Sequence, residues 1–161
     1  MNARWIRLGA LNPIEFETVT TRLARAQGPH SLPVLAWGED EMSYGFALVT
    51  PRRLAPGRSA RWSAWGLAAA VATYRQFGVA AYFEQEGIWL HGRCIGEARV
   101  QEIGECVLVG ATFLASFPGK CVVTPSAVIE DAFRVRLEAQ HGWQFDHSWP
   151  SALERPERVV A

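Results

Sequence analysis

Residues 79–117, "VAAYFEQEGIWLHGRCIGEARVQEIGECVLVGATFLASF", constrain the fold more than any other part of the chain. Apolar and polar residues alternate here with a period near two, and no helical period competes. Turn residues break the run at Glu86-Gly87, at His91-Gly92 and at Ile103-Gly104-Glu105. Strands this short, joined this tightly, pair antiparallel with their neighbours. The chain is therefore built around a sheet with one face to bury.

Three segments carry the helical period that can bury it. "NPIEFETVTTRLARAQG" predicts a helix with Asn12 as N-cap, Pro13 in the first turn, Glu15 in the capping-box position and Gly28 as the stop. Phe16, Val19, Leu23 and Ala26 mark its inner face. "SAWGLAAAVATYRQFG" predicts a second helix ended by Gly78 at C′. "TPSAVIEDAFRVRLEAQHG" predicts a third, with Thr124 as N-cap, Pro125 next and Gly142 as the stop. Ile129, Phe133 and Leu137 lie on its buried side. "RWIRLGA", "SLPVLAW" and "MSYGFALVTP" add strands. The order of elements predicts an α+β fold, a mixed and largely antiparallel sheet covered by helices on one side.

The 161 residues are expected to form one domain over 1–150; "WQFDHSWPSALERPERVVA" reads as a tail anchored by Trp143, Phe145 and Trp149, with 151–161 flexible. Hydrophobic residues at 49%, charged residues at 20% and a formal net charge of zero argue for a globular chain with no general pull toward nucleic acid or acidic lipid. The first residues lack a signal-peptide pattern and no apolar run is long enough to span a bilayer, so a cytoplasmic location is expected. Cys94, Cys106 and Cys121 form no CxxC pair, and none has a ligand-like pairing with His30, His91, His141 or His147. Neither a disulfide framework nor a metal site is expected. Lys120 is the only lysine among sixteen basic residues. The arginines of "RRLAPGRSAR" suit phosphate, but a solvated connection is the better reading of that loop.

Several phrases, in this order, resemble the biotin/lipoate protein ligase superfamily, which includes lipoate–protein ligases and octanoyltransferases. "RWIRLGALNP" with its following helix and the strand ending at Trp37 is similar to the family's opening. "MSYGFALVTP" is similar to the strand after its ligand loop, and "GIWLHGRCIGEARV" to its catalytic strand pair. The resemblance implies that family's α+β catalytic-domain fold. Two departures stand out. The family's glycine-rich ligand loop, of the type R-R-x-G-G-G, is missing between Trp37 and Met42. The family's lysine after "G-R" is replaced by Cys94, with Arg93 aimed at the opposite face by strand alternation and Glu97 nearby. In the family that lysine supplies a fixed cation for the reacting oxygen or the adenylate phosphate.

The expectation is a degenerate, non-catalytic ligase-like domain that serves as a binding or assembly module. Its partner would be a lipoyl- or biotinyl-carrier domain or another protein. One alternative is an acyltransferase (octanoyl or lipoyl) that uses Cys121 as nucleophile, activated by the adjacent Lys120. A second is a small ligand in a remodelled pocket lined by Tyr44, His91, Arg93, Cys94 and Glu97. No cofactor is expected; lipoate, octanoate or biotin would bind only where the family pocket survives. Asp146-His147 is read as a turn rather than as part of a triad.

Overall fold

The computed structural model describes residues 1–116 and 124–155. β1 (Asn2–Ala10) leads through α1 (Pro13–Arg25) into β2 (Val34–Glu39) and β3 (Ser43–Pro51). After α2 (Trp62–Gln76) come β4 (Tyr82–Glu84), β5 (Gly87–Leu90), β6 (Arg93–Glu97), β7 (Arg99–Ile103) and β8 (Cys106–Leu114). α3 (Ser126–His141) and β9 (Gln144–Ser148) follow. Six strands form one sheet in the order β7-β8-β3-β2-β1-β9, and β4-β5-β6 form a second. β1 runs parallel to β2 and β9, and the other pairings are antiparallel.

Helices cover both faces of the large sheet, not one. Because β1 and β2 are parallel, the chain between them must cross a face, and α1 is that crossover. Leu23, Ala24 and Phe16 of α1 pack with Ile6, Ala36, Ala47 and Leu108. On the opposite face α2 and α3 cover an aromatic core of Trp5, Trp37, Phe46, Phe113 and Phe133. Phe133 lies 4.7 Å from Phe46 and 5.2 Å from Phe113 between ring centroids. Burying each such side chain contributes roughly 2–3 kcal/mol.

The predicted caps hold in part. Asn12 Oδ1 accepts from the Glu15 N–H at 2.9 Å, and its side-chain amide, rather than the backbone N–H of a capping box, donates to the Glu15 carboxylate. α1 ends at Arg25, ahead of Gly28; the Gln27 side-chain amide donates to the Leu23 carbonyl and serves the C-terminus without a left-handed residue. Gly78 (φ 81°) and Gly142 (φ 68°) do end α2 and α3 as left-handed residues. Thr124 does not cap α3: Pro125 occupies that position, while Thr124 donates to the Ala115 carbonyl and accepts from Tyr44.

In the small sheet the first turn falls at Gln85-Glu86, one residue earlier than expected, with φ of 45° and 56°. His91-Gly92 turns as expected, with φ of 50° and 76°. The segment 144–148 was expected as part of a tail and is instead strand β9, so Asp146 and His147 lie exposed on a sheet edge rather than in a turn. Trp143 and Phe145 are buried, whereas Trp149 is 77% exposed and anchors nothing with its ring. Beyond it, Glu154 is buried against Arg4. No helix among the described residues is long and apolar enough to cross a membrane.

Candidate functional site

The face of the large sheet beneath α1 is paved with small residues. Gly38 of β2 pairs with Gly45 of β3, and Gly45 with Thr112 of β8. One row along, Ala36 pairs with Ala47, Ala47 with Gly110, and Gly110 with Arg99 of β7. Because side chains alternate across a strand, these residues share one face and leave it low. Between that floor and α1 lies a groove of about 140 Å³, lined by Leu11, Pro13, Phe16, Ala47, Ala111 and their neighbours.

Phe16 reaches down from the first turns of α1 into this floor. A Cβ on Gly38 would stand 2.7 Å from Phe16 Cδ2, and one on Gly45 would stand 3.3 Å from Cε1. The two glycines therefore exist as seats for the Phe16 ring. Three carboxylate residues, Glu17, Asp40 and Glu97, line the same groove. None of the three makes an ion pair or a side-chain hydrogen bond among the described residues.

Arg99 is the cation of the groove, and α1 holds it. Its guanidinium donates to Thr20 Oγ1 at 2.6 Å, Thr21 Oγ1 at 2.5 Å, the Glu17 carbonyl at 3.3 Å and Gln101 Oε1 at 3.0 Å. Burial lowers its pKa from the usual arginine value, opposed by the charge of Glu17. With four hydrogen bonds made, little of its donor capacity is left for a ligand.

The residues singled out in the sequence are not gathered in one pocket. Glu97 lines the groove, and also a shallow neighbouring depression with Cys94, Trp89 and Thr112. Cys94 is exposed, and Cys106 is buried at the start of β8. His91 and Arg93 are exposed at the far turn of the small sheet. A bulge at Ile95 interrupts the β5–β6 register between the Ile88–Gly96 and Trp89–Cys94 pairs, so simple alternation does not run through "GRCIGE". Tyr44 belongs to the opposite face. Its ring stacks on Trp37 at 5.8 Å, and its hydroxyl donates to the Thr124 carbonyl at 2.8 Å. Burial, then the charge of Glu39, raises its pKa. It anchors the start of α3 and lines no groove with His91. Lys120 and Cys121 lie outside the described residues.

Sequence reasoning missed Phe16, which it placed in the core, and the glycine floor. The signal was present as one glycine in each of "AWGE", "SYGF" and "LVGA", at positions that face the same way. The arginine-rich loop makes structural contacts instead: Arg52 donates to the Gly104 carbonyl and pairs with Glu102, and Arg53 donates to the Pro29 carbonyl. No cluster of three or more metal-ligating side chains occurs among the described residues.

By sequence, no family model and no curated protein matches the chain at a significant level. Solved structures do match. Lipoate-protein ligase A bound with ATP superposes with a TM-score of 0.78 at 10% identity, over 96% of this chain and 91% of the other. A bi-partite lipoate protein ligase from Thermoplasma acidophilum, studied with its E2 lipoyl domain, gives 0.78 at 10% identity, over 96% and 89%. The chain has the biotin/lipoate ligase fold. A third match to that fold is biotin acetyl coenzyme A carboxylase synthetase from Helicobacter pylori with bound biotinylated ATP, at 0.57 and 12% identity over 86% and 74%. Within the ligase fold this chain joins β2 to β3 by a tight turn, closed by the Asp40 N–H on the Ser43 carbonyl at 2.9 Å. That turn stands where the resemblance implies a glycine-rich ligand loop.

Proposed function

We propose that this chain is a non-catalytic form of the ligase fold, a binding or assembly module whose partner is a lipoyl-carrier domain. One observation carries the reading: the glycine floor beneath α1 is occupied by the chain's own Phe16 and bordered by Glu17, Asp40 and Glu97. An acyl-adenylate carries a phosphate, and a free acid carries a carboxylate. Either would meet like charge at the groove, from an exposed Glu17 and Glu97 and a half-buried Asp40. Cys94, in the position the resemblance gives to a lysine, supplies no fixed cation. The choice of partner draws on the Thermoplasma ligase, whose structural analysis includes an E2 lipoyl domain.

The test has two arms. The protein is incubated with lipoate, ATP and a lipoyl-domain acceptor, and separately with octanoyl-carrier protein, and intact masses are read. Titration calorimetry then measures binding to the unmodified lipoyl domain. The reading expects no adduct and no acceptor modification, with saturable binding. A mass gain the size of a thioester, lost in Cys121→Ala, would make the chain an acyltransferase. Modified acceptor with ATP would make it a ligase.

A further inference from the structure

We propose that the groove beneath α1 is a binding site for a small organic cation, an apolar chain or ring of about six carbons carrying an ammonium. The inference goes beyond the partner-binding reading and does not depend on it. Three properties of the groove lead to it.

The first is size. At about 140 Å³ the groove compares with apolar cavities of about 150 Å³ that take up a single benzene-sized guest. Phe16, seated on Gly38 and Gly45, sets this limit from below. A ligand with a longer acyl chain or a fused ring system meets that ring before it is fully buried. The second is the wall. Leu11, Pro13, Phe16 and Ala47 offer carbon to the guest, which favours an apolar body.

The third is charge, and it decides the head group. Glu17, Asp40 and Glu97 bring three carboxylates, while Arg99 brings one guanidinium that is already bonded to Thr20, Thr21, Gln101 and the Glu17 carbonyl. At the positive end of α1 the Glu15 N–H is already taken by Asn12 Oδ1. Three carboxylates against one guanidinium leave the groove with a net negative charge. A carboxylate guest meets three carboxylates and a guanidinium with one N–H left, whereas an ammonium finds three carboxylate acceptors, of which Glu17 alone acts on the charge of Arg99.

Titration calorimetry on the intact chain with n-hexylammonium, hexanoate and n-hexanol, matched in length, separates the possibilities. The ammonium is expected to bind saturably and to weaken as salt rises; hexanoate is expected not to bind, and hexanol to bind more weakly than the ammonium. The Asp40→Asn, Glu97→Gln double variant should weaken the ammonium about tenfold or more. These two positions are outside the core, and an unchanged thermal midpoint would verify that the variant is folded. In Phe16→Ala, octylammonium should gain on hexylammonium. Hexanoate binding as tight as the ammonium, hexanol binding as tight, an unaltered affinity in the folded double variant, or no saturable ammonium binding would each overturn the proposal. The transfer assays and the lipoyl-domain titration read different events, so failure there leaves this result interpretable.

Discussion

Arg4 grips both carboxylate oxygens of Glu154, Nη1 to Oε2 at 2.7 Å and Nη2 to Oε1 at 2.9 Å, across 150 positions of sequence. Arg4 also donates to Ser148 Oγ and to the Trp149 carbonyl, and Gln27 and the Ser151 N–H add their own bonds to Glu154. Strand β1, the end of α1 and the segment after β9 are thereby tied at one point.

Glu154 is 4% exposed, and burial alone would raise its pKa. The bonds from Arg4, the Ser151 N–H and Gln27 outweigh burial and hold it at about 2. An acid whose pKa is depressed in the folded state stabilises fully above its unfolded value, near 4.5, and that stability is lost as the pH falls toward 2. Glu154→Ala leaves Arg4 unpaired and is expected to cost roughly 3 kcal/mol at neutral pH. Chemical denaturation at pH 7 and at pH 2.5 would check this, the gap between variant and parent narrowing at the lower pH.

His141 gives a pH effect at a different place. Its ring stacks on Trp143 at 4.3 Å and meets Trp65 edge-on at 5.0 Å, and its buried Nε2 has no hydrogen-bond partner. Burial lowers its pKa from 6.5 to about 4. Between those values the unfolded chain binds a proton that the folded chain does not, so stability falls as the pH drops from about 6.5 toward 4. Thermal midpoints across that range should decline in the parent and decline less in His141→Phe.

α2 sits on β8 through Gly66, where a Cβ would stand 2.4 Å from Val109 Cγ1. Gly66→Ala, a change that normally favours a helix, should here destabilise by about 1–3 kcal/mol, because the helix must lift from the sheet. Gly66→Ala combined with Val109→Ala should recover part of the loss. Denaturant midpoints of the two variants would show it.

At α1 the cap predicts that Asn12→Ala costs about 1 kcal/mol, while Asn12→Ser, which still accepts from the Glu15 N–H and brings no charge against the Glu15 carboxylate, costs less; denaturant midpoints would check it. A larger effect of Asn12→Ala on hexylammonium affinity than on stability would mean that the first turn of α1 also positions Phe16 over the groove.

The parts legible in the sequence are those with a local cause. Ile129, Phe133 and Leu137 follow from helical period, and Gly78, Gly142 and the His91-Gly92 turn follow from backbone conformations few residues tolerate. The order of elements was enough for the ligase fold. β9 was not legible, because Gln144–Ser148 pairs in parallel with a strand some 140 positions away and has only Phe145 as an apolar mark. The groove escaped for a related reason. Alternation shows that Tyr44 and Phe46 oppose Gly45 and Ala47, but not which face carries the cavity. That assignment needed α1 and its Phe16 to be laid on the glycines.

The position of β1 has a consequence for how the protein is made. β1 leaves the ribosome before β2, yet β9, which covers its other edge, lies some 140 positions downstream. During synthesis β1 can pair with β2 as soon as α1 has crossed over, while its other edge offers unpaired N–H and C=O groups until residue 148 has emerged. The nascent chain thus carries an open strand edge until β9 (Gln144–Ser148) has emerged to close it. A chain stalled or truncated before β9 would present that edge to any neighbour able to add a strand.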